Sequence, residues 1–244
     1  MGVYVQIILS KILWYSIINN MKYFAHRGII DNELENSKEA VINTLNSSNY
    51  DGIEVDLRLS YDKKVILIHD KDTRRISREK LIISDTEYNM LEKLKLYDNS
   101  NLLTLLHFIQ IYKKYDTYNK KKIIFDIKDN DLTVIEHIIN NMRIYGIPLD
   151  NVILLTWKDD LPCYLYRSIK IFYAVDESVI RECDILKAKE KQYSGICLEF
   201  DNSKENIETI KLIKLLGLET TVYLNKDLKS SLRWYENIID HATF

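Results

Sequence analysis

Cysteine and proline are scarce in this chain, whose 244 residues include 3 cysteines, 2 prolines and 6 glycines. The cysteines, Cys163, Cys183 and Cys197, are odd in number, far apart and without a C-x-x-C pair. This distribution excludes a disulfide framework and a cysteine-based zinc site. It indicates a reducing compartment, so we expect a cytoplasmic protein.

Neither sign of charge predominates. Lys and Arg total 34 against 36 for Asp and Glu, which gives a formal net charge of -2. A nucleic-acid-binding protein would show a basic excess or a basic stripe, so we expect no nucleic-acid partner. The densest basic stretch, residues 113–124, falls in a predicted helix-to-strand loop and is interpreted as solvated surface.

No uninterrupted apolar run is long enough to cross a membrane comfortably. The most apolar stretch, residues 3–18, is broken by Gln6 and Lys11 and lacks the flanks of a signal peptide. We interpret residues 1–20 as an N-terminal apolar extension or a helix packed on the domain; membrane contact through them is the less favoured alternative. No Pro- or Ser-rich linker divides residues 21–244, which we predict to form one domain.

Short β-branched or aromatic runs alternate with helical patterns along residues 21–244. The predicted strands are 22–25, 52–57, 65–68, 123–128, 152–156, 170–175, 195–199 and 219–224. The predicted helices are 35–48, 101–115, 131–145, 176–190 and 203–216, with 158–167 and 226–240 as shorter or terminal ones. This alternation predicts an α/β protein with a single (β/α)8 TIM barrel. The link RLSYDKK between the second and third strands is too short for a helix and is the least regular step.

Polar groups lie at the same end of four successive predicted strands, where such a barrel carries its active site. They are His26 and Arg27 after the first strand, Glu54 and Asp56 in the second, His69 after the third, and Asp126 and Lys128 at the end of the fourth. Because side chains alternate along a strand, Glu54 and Asp56 share one face. The same holds for Asp126 and Lys128. One enclosed site accounts for all of these residues.

Three carboxylates that converge inside a barrel repel each other unless a cation lies between them. Ligands that are all oxygen select a hard ion, so we expect one divalent cation, Mg²⁺ or Ca²⁺, rather than zinc. Arg27 and Lys128 beside the cation complete a binding site for an anion, and a phosphate fits best. An imidazole side chain ordinarily titrates near neutral pH, so His26 and His69 are of the right type to serve as the acid and the base of a phosphodiester cleavage.

Five short motifs occur in order along the first half of the chain. They are AHRG at 25–28, EN at 35–36, GIEVDL at 52–57, HD at 69–70 and an acid-x-Lys strand end at 126–128. Together they resemble the glycerophosphodiester phosphodiesterase family, whose members are metal-dependent TIM barrels related to phospholipase-C-like phosphodiesterases. The motifs that carry the resemblance lie within residues 22–128. The second half of the chain shares only the alternation of strands and helices. The resemblance implies a hydrolase of lipid metabolism that cleaves a small glycerophosphodiester into glycerol 3-phosphate and an alcohol.

The resemblance also implies roles for individual residues. The implied acid–base pair is His26 and His69, of which we assign His26 as base and His69 as acid. The implied metal ligands are Glu54, Asp56 and Asp126. The implied phosphate-binding groups are Arg27 and Lys128.

Three further polar residues lie within the motifs. Glu35 and Asn36 either brace the site or simply begin the first helix. Asp70 either orients His69 or caps the next turn.

The chain departs from the family's pattern at Asp126, where most members have Glu and the similar sphingomyelinase D-type phospholipases have Asp. Near the end of the eighth predicted strand the family often carries a Trp, and Tyr223 is here a possible substrate contact. The segment after the His-Asp motif is also brief. Two alternatives therefore stay open: a lysophospholipase D or sphingomyelinase D-like enzyme that acts on lipid, and a non-catalytic barrel that binds a phosphorylated ligand.

The other three histidines and two neighbouring arginines fall outside the constellation. His107, His137 and His241 lie in helical patterns without a motif and are interpreted as buried, structural histidines. Arg74 and Arg75 are interpreted as surface groups, with contact to a polar headgroup as the alternative.

Overall fold

Eight parallel strands close into a barrel in the computed structural model, which describes residues 21–30, 33–129, 131–158, 161, 163–223, 235 and 239–244. The strands are β1 Lys22–His26, β2 Gly52–Leu59, β3 Val65–Leu67, β4 Lys122–Ile127, β5 Val152–Thr156, β6 Lys170–Ala174, β7 Gly195–Glu199, β8 Glu219–Tyr223 and β9 His241–Thr243. All but β3 belong to the barrel, and β9 pairs back to β1. The predicted single (β/α)8 barrel is confirmed.

The third predicted strand, residues 65–68, is not a barrel strand. β3 pairs antiparallel with the end of β2, with Leu59 opposite Val65. In the intervening turn the Ser60 N–H donates to the Lys64 carbonyl at 2.9 Å. A parallel crossover needs a dozen residues or more, whereas a short turn suffices for antiparallel neighbours. The link RLSYDKK therefore forms a hairpin instead of a βα crossover.

The eighth barrel strand is β9, which the sequence pattern did not predict. β9 pairs in parallel with both β8 and β1 and closes the barrel. The predicted eighth strand, 219–224, corresponds to β8 and is the seventh barrel strand. Most of the predicted terminal helix 226–240 lies outside the described residues, as does the extension 1–20. A strand of three residues, His-Ala-Thr, is too short and too poor in β-branched residues to stand out in the sequence.

The helices follow the predicted order, apart from the short helix Tyr88–Leu91, which was not predicted. They are α1 Lys38–Asn46, α2 Tyr88–Leu91, α3 Leu105–Tyr115, α4 Thr133–Ile144, α5 Glu182–Glu190 and α6 Lys204–Leu215, with 3₁₀ turns at Ile83–Asp85, Leu149–Asn151 and Cys163–Tyr166. Of the predicted helix 158–167, only this last 3₁₀ turn is described as helical. Helices α1, α3 and α6 begin later than predicted because Ser37, Thr104 and Ser203 are extended N-caps whose hydroxyls accept a backbone N–H.

Two faces of each strand carry different side chains. On β2, Ile53, Val55 and Leu57 belong to the main core between strands and helices. Residues 54 and 56 of the same strand point into the barrel, as the alternation predicts. Inside the barrel an apolar cluster is centred on Phe24 and Phe172. This cluster lies beneath the polar groups at the strand ends, so the barrel is packed and the polar groups occupy its mouth.

The segment from β3 to α3 covers one side of the mouth. It has its own small core, which includes Ile68, Ile76 and Leu94. Ion pairs that start from this segment, described below, reach the site.

Two of the three histidines expected to be buried are exposed. His107 on α3 and His137 on α4 face solvent. His241 is buried, as expected, and its Nε2 lies 3.3 Å from Glu219 Oε2. Within the described residues no helix combines the length and apolarity needed to span a membrane.

Candidate active site

A pocket of about 370 Å³ opens at the C-terminal ends of the barrel strands. The predicted site residues that line it are His26, Arg27, Glu54, His69, Asp126, Lys128 and Tyr223. The remaining lining residues are Leu155, Trp157, Asp176, Cys197 and Thr243. The pocket therefore has a charged side, built by β1, β2, β4 and His69 beyond β3, and a side of fewer charges built by β5 to β9.

The turn that follows β1 has an unusual backbone. Arg27 and Gly28 have φ angles of 59° and 85°. A Cβ on Gly28 would lie 2.8 Å from the Ala40 carbonyl carbon, so only glycine permits this approach to α1. The turn aims the Arg27 N–H at Glu54 Oε2, 2.9 Å away. It also brings the guanidinium Nε to 3.2 Å from Asp56 Oδ2.

Asn36 holds Asp56 from two sides. Its Nδ2 donates to Asp56 Oδ2 at 2.9 Å, and its Oδ1 accepts the Asp56 backbone N–H at 3.1 Å. The Asn36 N–H in turn donates to the Arg27 carbonyl at 2.9 Å. Asn36 is only 4% exposed and precedes α1, so it joins the β1 turn to β2.

Three buried carboxylates meet in the mouth of the barrel. One oxygen each of Glu54, Asp56 and Asp126 lies within 4.8 Å of the other two. Burial, and then the charges of Asp56 and Asp126, raise the pKa of Glu54 well above its usual range. Burial also raises the pKa of Asp126, although Lys128 opposes the shift. Ionisation of all three carboxyls would thus place more negative charge here than the surroundings compensate.

Lys128 and Arg27 supply part of the compensation. Lys128 Nζ lies 2.6 Å from Asp126 Oδ2 and 3.1 Å from Asp56 Oδ1. Burial disfavours the charged form of Lys128, but Asp126 and Asp56 outweigh it and raise its pKa. Burial likewise opposes ionisation of Asp56, yet the charges of Lys128 and Arg27 lower its pKa.

The donor set fits a hard divalent cation. Glu54, Asp56 and Asp126 offer only oxygen, which Mg²⁺ and Ca²⁺ prefer. Asp56 Oδ1 is buried and, apart from its ion pair with Lys128, makes no hydrogen bond. The raised pKa of Glu54 shows that one more positive charge here would be favourable. In the part of the chain that the structure describes, this is the one group of acidic, His or Cys side chains arranged to hold an ion.

His26 is the last residue of β1 and faces the pocket. Its Nε2 lies 3.9 Å from Glu54 Oε2. Burial, followed by the charges of Arg27 and Lys128, lowers the pKa of His26 to about 4. The ring is therefore neutral at pH 7 and able to accept a proton.

His69 lies just beyond β3, and both its ring and its backbone are held. Asp70 Oδ1 lies 2.8 Å from the ring Nδ1. A carboxylate at Nδ1 orients an imidazole and leaves Nε2 for chemistry. The His69 carbonyl accepts a hydrogen bond from Arg58 Nε at 2.8 Å, and Arg58 also pairs with Asp129 at 2.7 Å.

Glu35 lies outside the pocket lining but contacts Arg27, which is part of it. Both Glu35 oxygens accept from Arg27 Nη1 at 3.1 Å. The same carboxylate pairs with Arg75 at 2.6 Å. Arg75 was expected at the surface. Its side chain is half exposed, but its guanidinium pairs with two carboxylates. Arg74 pairs only with nearby Asp72 in the described part of the chain.

Sequence reasoning missed Trp157. Its Nε1 donates to Asp126 Oδ1 at 2.8 Å, and Lys128 Nζ lies 5.2 Å from its ring centroid. Trp157 lies two positions after Leu155, at the end of β5. Strand alternation places both side chains on the inward face, and this was the signal that could have identified Trp157. Tyr223, which was predicted, lines the pocket and donates its hydroxyl to the Val175 carbonyl at 2.9 Å.

Known proteins match this chain in sequence. A sequence model of the glycerophosphoryl diester phosphodiesterase family matches residues 26–149. A glycerophosphodiester phosphodiesterase of Bacillus altitudinis is 38% identical over 72 residues, which are 30% of this chain and 29% of that protein. An uncharacterized protein of Mycoplasma genitalium is 27% identical over 174 residues, 66% of this chain and 65% of that protein. The chain thus spans less than two thirds of either relative in these matches.

The fold also matches solved structures. A phosphodiesterase from Oleispira antarctica, in complex with the product sn-glycerol-3-phosphate, superposes with a TM-score of 0.76 at 18% identity. The match covers 94% of each chain. At this identity the likeness concerns the barrel fold.

Proposed function

The chain belongs to the glycerophosphoryl diester phosphodiesterase family, and we propose that it hydrolyses glycerophosphodiesters to glycerol 3-phosphate and an alcohol. The observation that carries the proposal is one pocket lined by two histidines, an arginine and a lysine beside three buried carboxylates. Hydrolysis of a phosphodiester requires charge compensation and two proton transfers, and this set provides both. The product bound to the O. antarctica enzyme supports glycerol 3-phosphate as the product here.

Arg27 and Lys128 bind the phosphate in the proposed complex. Both line the pocket, and both carry their charge on a side chain that carboxylates hold in place. Arg27 offers a planar donor fork that suits two phosphate oxygens, and Lys128 offers a point charge. The side of the pocket built by Leu155, Trp157 and Tyr223 receives the organic part of the substrate.

His26 and His69 act as the acid–base pair, with His26 as base and His69 as acid. Burial and then the charge of Arg27 lower the pKa of His26, so its ring is unprotonated at rest and has a nitrogen available for a proton. The Asp70 carboxylate orients the His69 ring through Nδ1, which leaves Nε2 to pass a proton to the leaving oxygen. Each such transfer contributes roughly 10²–10⁴-fold to the rate.

Glu54, Asp56 and Asp126 are the residues that would hold one Mg²⁺ or Ca²⁺. A cation bound there supplies charge stabilisation for the phosphoryl oxygens. Asn36 fixes Asp56, and Trp157 with Lys128 engages both oxygens of Asp126, so the ligands are held before the cation arrives.

Two alternatives from the sequence gain no support from the comparisons. An enzyme that acts on membrane lipid, of lysophospholipase D or sphingomyelinase D type, depends most on residues 1–20, which lie outside the described residues. A non-catalytic barrel would be expected to lack part of the constellation, and all of it is present. We therefore propose a cytoplasmic enzyme of lipid metabolism with a small glycerophosphodiester as substrate.

The proposal is tested with the full-length protein, glycerophosphocholine and Mg²⁺ or Ca²⁺, with products followed by phosphorus NMR. We expect glycerol 3-phosphate to form, and H26A and H69A each to lower kcat by about 10²-fold or more. H137A is the matched control because His137 is exposed on α4. The cation should raise the unfolding midpoint of the wild type but not of E54Q, since ligand binding stabilises the native state.

Each outcome has a distinct meaning. Turnover of lysophosphatidylcholine but not of glycerophosphocholine would transfer the function to the lipid-acting alternative. Binding of glycerol 3-phosphate without turnover of either diester would identify a non-catalytic barrel. Equal loss of activity in H26A and H137A would contradict the assigned site.

A further inference from the structure

Arg75 reaches from the segment after the hairpin to two carboxylates that belong to different parts of the site. Its side chain is 47% exposed and lines no part of the pocket, so it does not contact the bound substrate in the proposed complex. Its donors are nevertheless engaged by Glu35 and by Asp70. These two residues are in turn the partners of the phosphate-binding arginine and of the proposed acid.

The two terminal nitrogens of the Arg75 guanidinium hold Glu35. Nη1 and Nη2 of Arg75 donate to the two Glu35 oxygens at 2.6 and 2.7 Å, the parallel geometry of a bidentate pair. Both oxygens of the same carboxylate also accept from Arg27 at 3.1 Å. Burial would raise the pKa of Glu35, but the bond from Arg75 and the charge of Arg27 outweigh it and lower the pKa. Glu35 is thus an anion fixed between two guanidiniums.

The Nε group of the Arg75 guanidinium holds Asp70. This Nε donates to Asp70 Oδ2 at 2.6 Å, while Asp70 Oδ1 lies 2.8 Å from His69 Nδ1. Burial opposes ionisation of Asp70, yet the bonds from Arg75 and His69 lower the pKa of this carboxyl to about 2. The two Asp70 oxygens therefore have separate partners, and rotation of the carboxylate would break both contacts.

We propose that Arg75 is a positioning residue that couples the two working parts of the site, holding Arg27 through Glu35 and His69 through Asp70. The contacts form a continuous chain of alternating charge, Arg27–Glu35–Arg75–Asp70–His69. A guanidinium can serve both carboxylates at once because its donors lie along two edges of one plane. A lysine ammonium in the same place can form a full-strength ion pair with only one of the two carboxylates.

The expected effects on kcat and KM rest on the proposed function, whereas the coupling of Arg27 and His69 through Arg75 does not. R75Q is expected to raise KM through a less ordered Arg27 and to lower kcat through a less ordered His69, with kcat/KM reduced about 10–100-fold, because misplacement by about 1 Å can cost that much. E35Q should reproduce mainly the KM effect and D70N mainly the kcat effect. R75K should recover only part of the loss.

The matched control is R74Q. Arg74 is the adjacent, exposed arginine whose described partner is Asp72, so its removal should leave kcat and KM unchanged. In an E35Q/D70N background, R75Q should add little further loss, because residues of one network are not additive. Thermal unfolding of all variants checks that R75Q and R74Q remain folded to the same extent.

A measurement without turnover separates this inference from the function. In nitrogen-15 NMR spectra the His69 Nδ1 proton, assigned by its absence in H69Q, should be observed in the wild type and R74Q and be lost or shifted in R75Q. Wild-type activity with unchanged kinetics in R75Q would overturn the inference and leave the proposed function intact. If the wild type cleaves no diester, the NMR comparison still decides: an unchanged signal in R75Q overturns the coupling, and a lost signal supports it.

Discussion

Arg27 and Asn36 both adopt the left-handed backbone conformation, with φ angles of 59° and 54°. This conformation costs most residues with a side chain roughly 1–2 kcal/mol, and asparagine less. Local hydrogen bonds offset this conformational free energy, since the Asn36 N–H donates to the Arg27 carbonyl and the Asn36 side-chain amide donates to Asp56. Two strained residues joined in this way set the angle at which the Arg27 guanidinium enters the site.

N36A is expected to lower the free energy of unfolding by about 2–4 kcal/mol. The substitution leaves the buried Asp56 carboxylate and N–H short of partners, which costs about 1–3 kcal/mol. It also places alanine at a φ angle that asparagine tolerates better. N36G separates the two contributions because glycine accepts this φ without strain. Denaturant unfolding of both variants is the measurement, and a loss that is smaller in N36A than in N36G would contradict the prediction.

Asp126 shows how a short carboxylate is held in this site. Trp157 engages Oδ1 and Lys128 engages Oδ2, and both partners lie at strand ends next to the pocket. The resemblance to the family would favour Glu at this position. The indole and the ammonium fix the shorter side chain at the distance from Glu54 and Asp56 that the structure shows.

At the scale of elements, the β2–β3 hairpin has the largest effect on function. It turns the chain back at the barrel mouth, so the His-Asp motif arrives beside β2 instead of in the barrel wall. Arg58, which shares the inward face of β2 with Glu54 and Asp56, then holds the His69 carbonyl. The following segment has its own small core, which supports Arg75 above Glu35.

The short strand β9 closes the barrel and supports the proposed base. The Phe244 carbonyl, immediately after β9, accepts the His26 N–H at 3.1 Å. The Phe244 ring packs edge-on against Tyr23 at 5.7 Å. Without β9, β1 and β8 would each present an unpaired edge.

A242D is expected to destabilise the protein by at least about 3 kcal/mol. Ala242 is fully buried in the core outside the barrel, and a carboxylate there would be unpaired. A242S keeps the size and should cost about 1 kcal/mol, the price of one buried hydroxyl. Chemical unfolding followed by circular dichroism measures both variants. Equal stability of A242D and the wild type would show that β9 is dispensable for closure.

At the scale of the whole molecule, the two ends of the barrel carry different chemistry. The proposed site occupies the C-terminal ends of the strands, whereas Glu219 at the start of β8 pairs with Lys170 and His241 at the other end. His241 packs between the rings of Phe24 and Phe172, 5.7 and 6.0 Å away. In such barrels the N-terminal end serves stability, and this cluster fits that role.

The stability of the barrel should depend on pH through Glu219. Burial opposes its ionisation, but the bonds from His241 and Lys170 lower its pKa to about 2 in the folded protein. Because the folded-state pKa lies below that of the unfolded chain, about 4.3, the stabilisation is present above that pH and is lost as the pH falls toward 2. E219Q should therefore cost about 1 kcal/mol at pH 7, after allowance for solvent screening.

Denaturant unfolding between pH 3 and pH 7 measures this contribution. The difference in free energy of unfolding between wild type and E219Q should shrink as the pH falls below about 4. E205Q, at an exposed position of α6, is the control and should show no such trend. A difference that stays constant over the whole range would exclude the Glu219 pairing as its source.

The local pattern of the sequence determined the barrel and most of its polar mouth. Period-2 alternation places Glu54 and Asp56 on one face, and the repeated strand–helix rhythm implies that strand ends meet. Asp126 and Lys128 follow by the same rule, and the structure brings all four together. Ser203, directly before the apolar pattern of α6, caps this helix through its hydroxyl.

Only the tertiary structure decided which strands form the barrel wall and which charged residues join the site. β3 has the composition of a barrel strand, and its hairpin pairing depends on the competition between a short turn and a crossover. β9 has almost no signal of its own and exists because β1 and β8 both offer unpaired edges. Arg75 is one arginine among several in a polar segment, and its two partners lie 40 and 5 residues away in the chain. Contacts over such separations depend on packing between elements, which local sequence patterns do not encode.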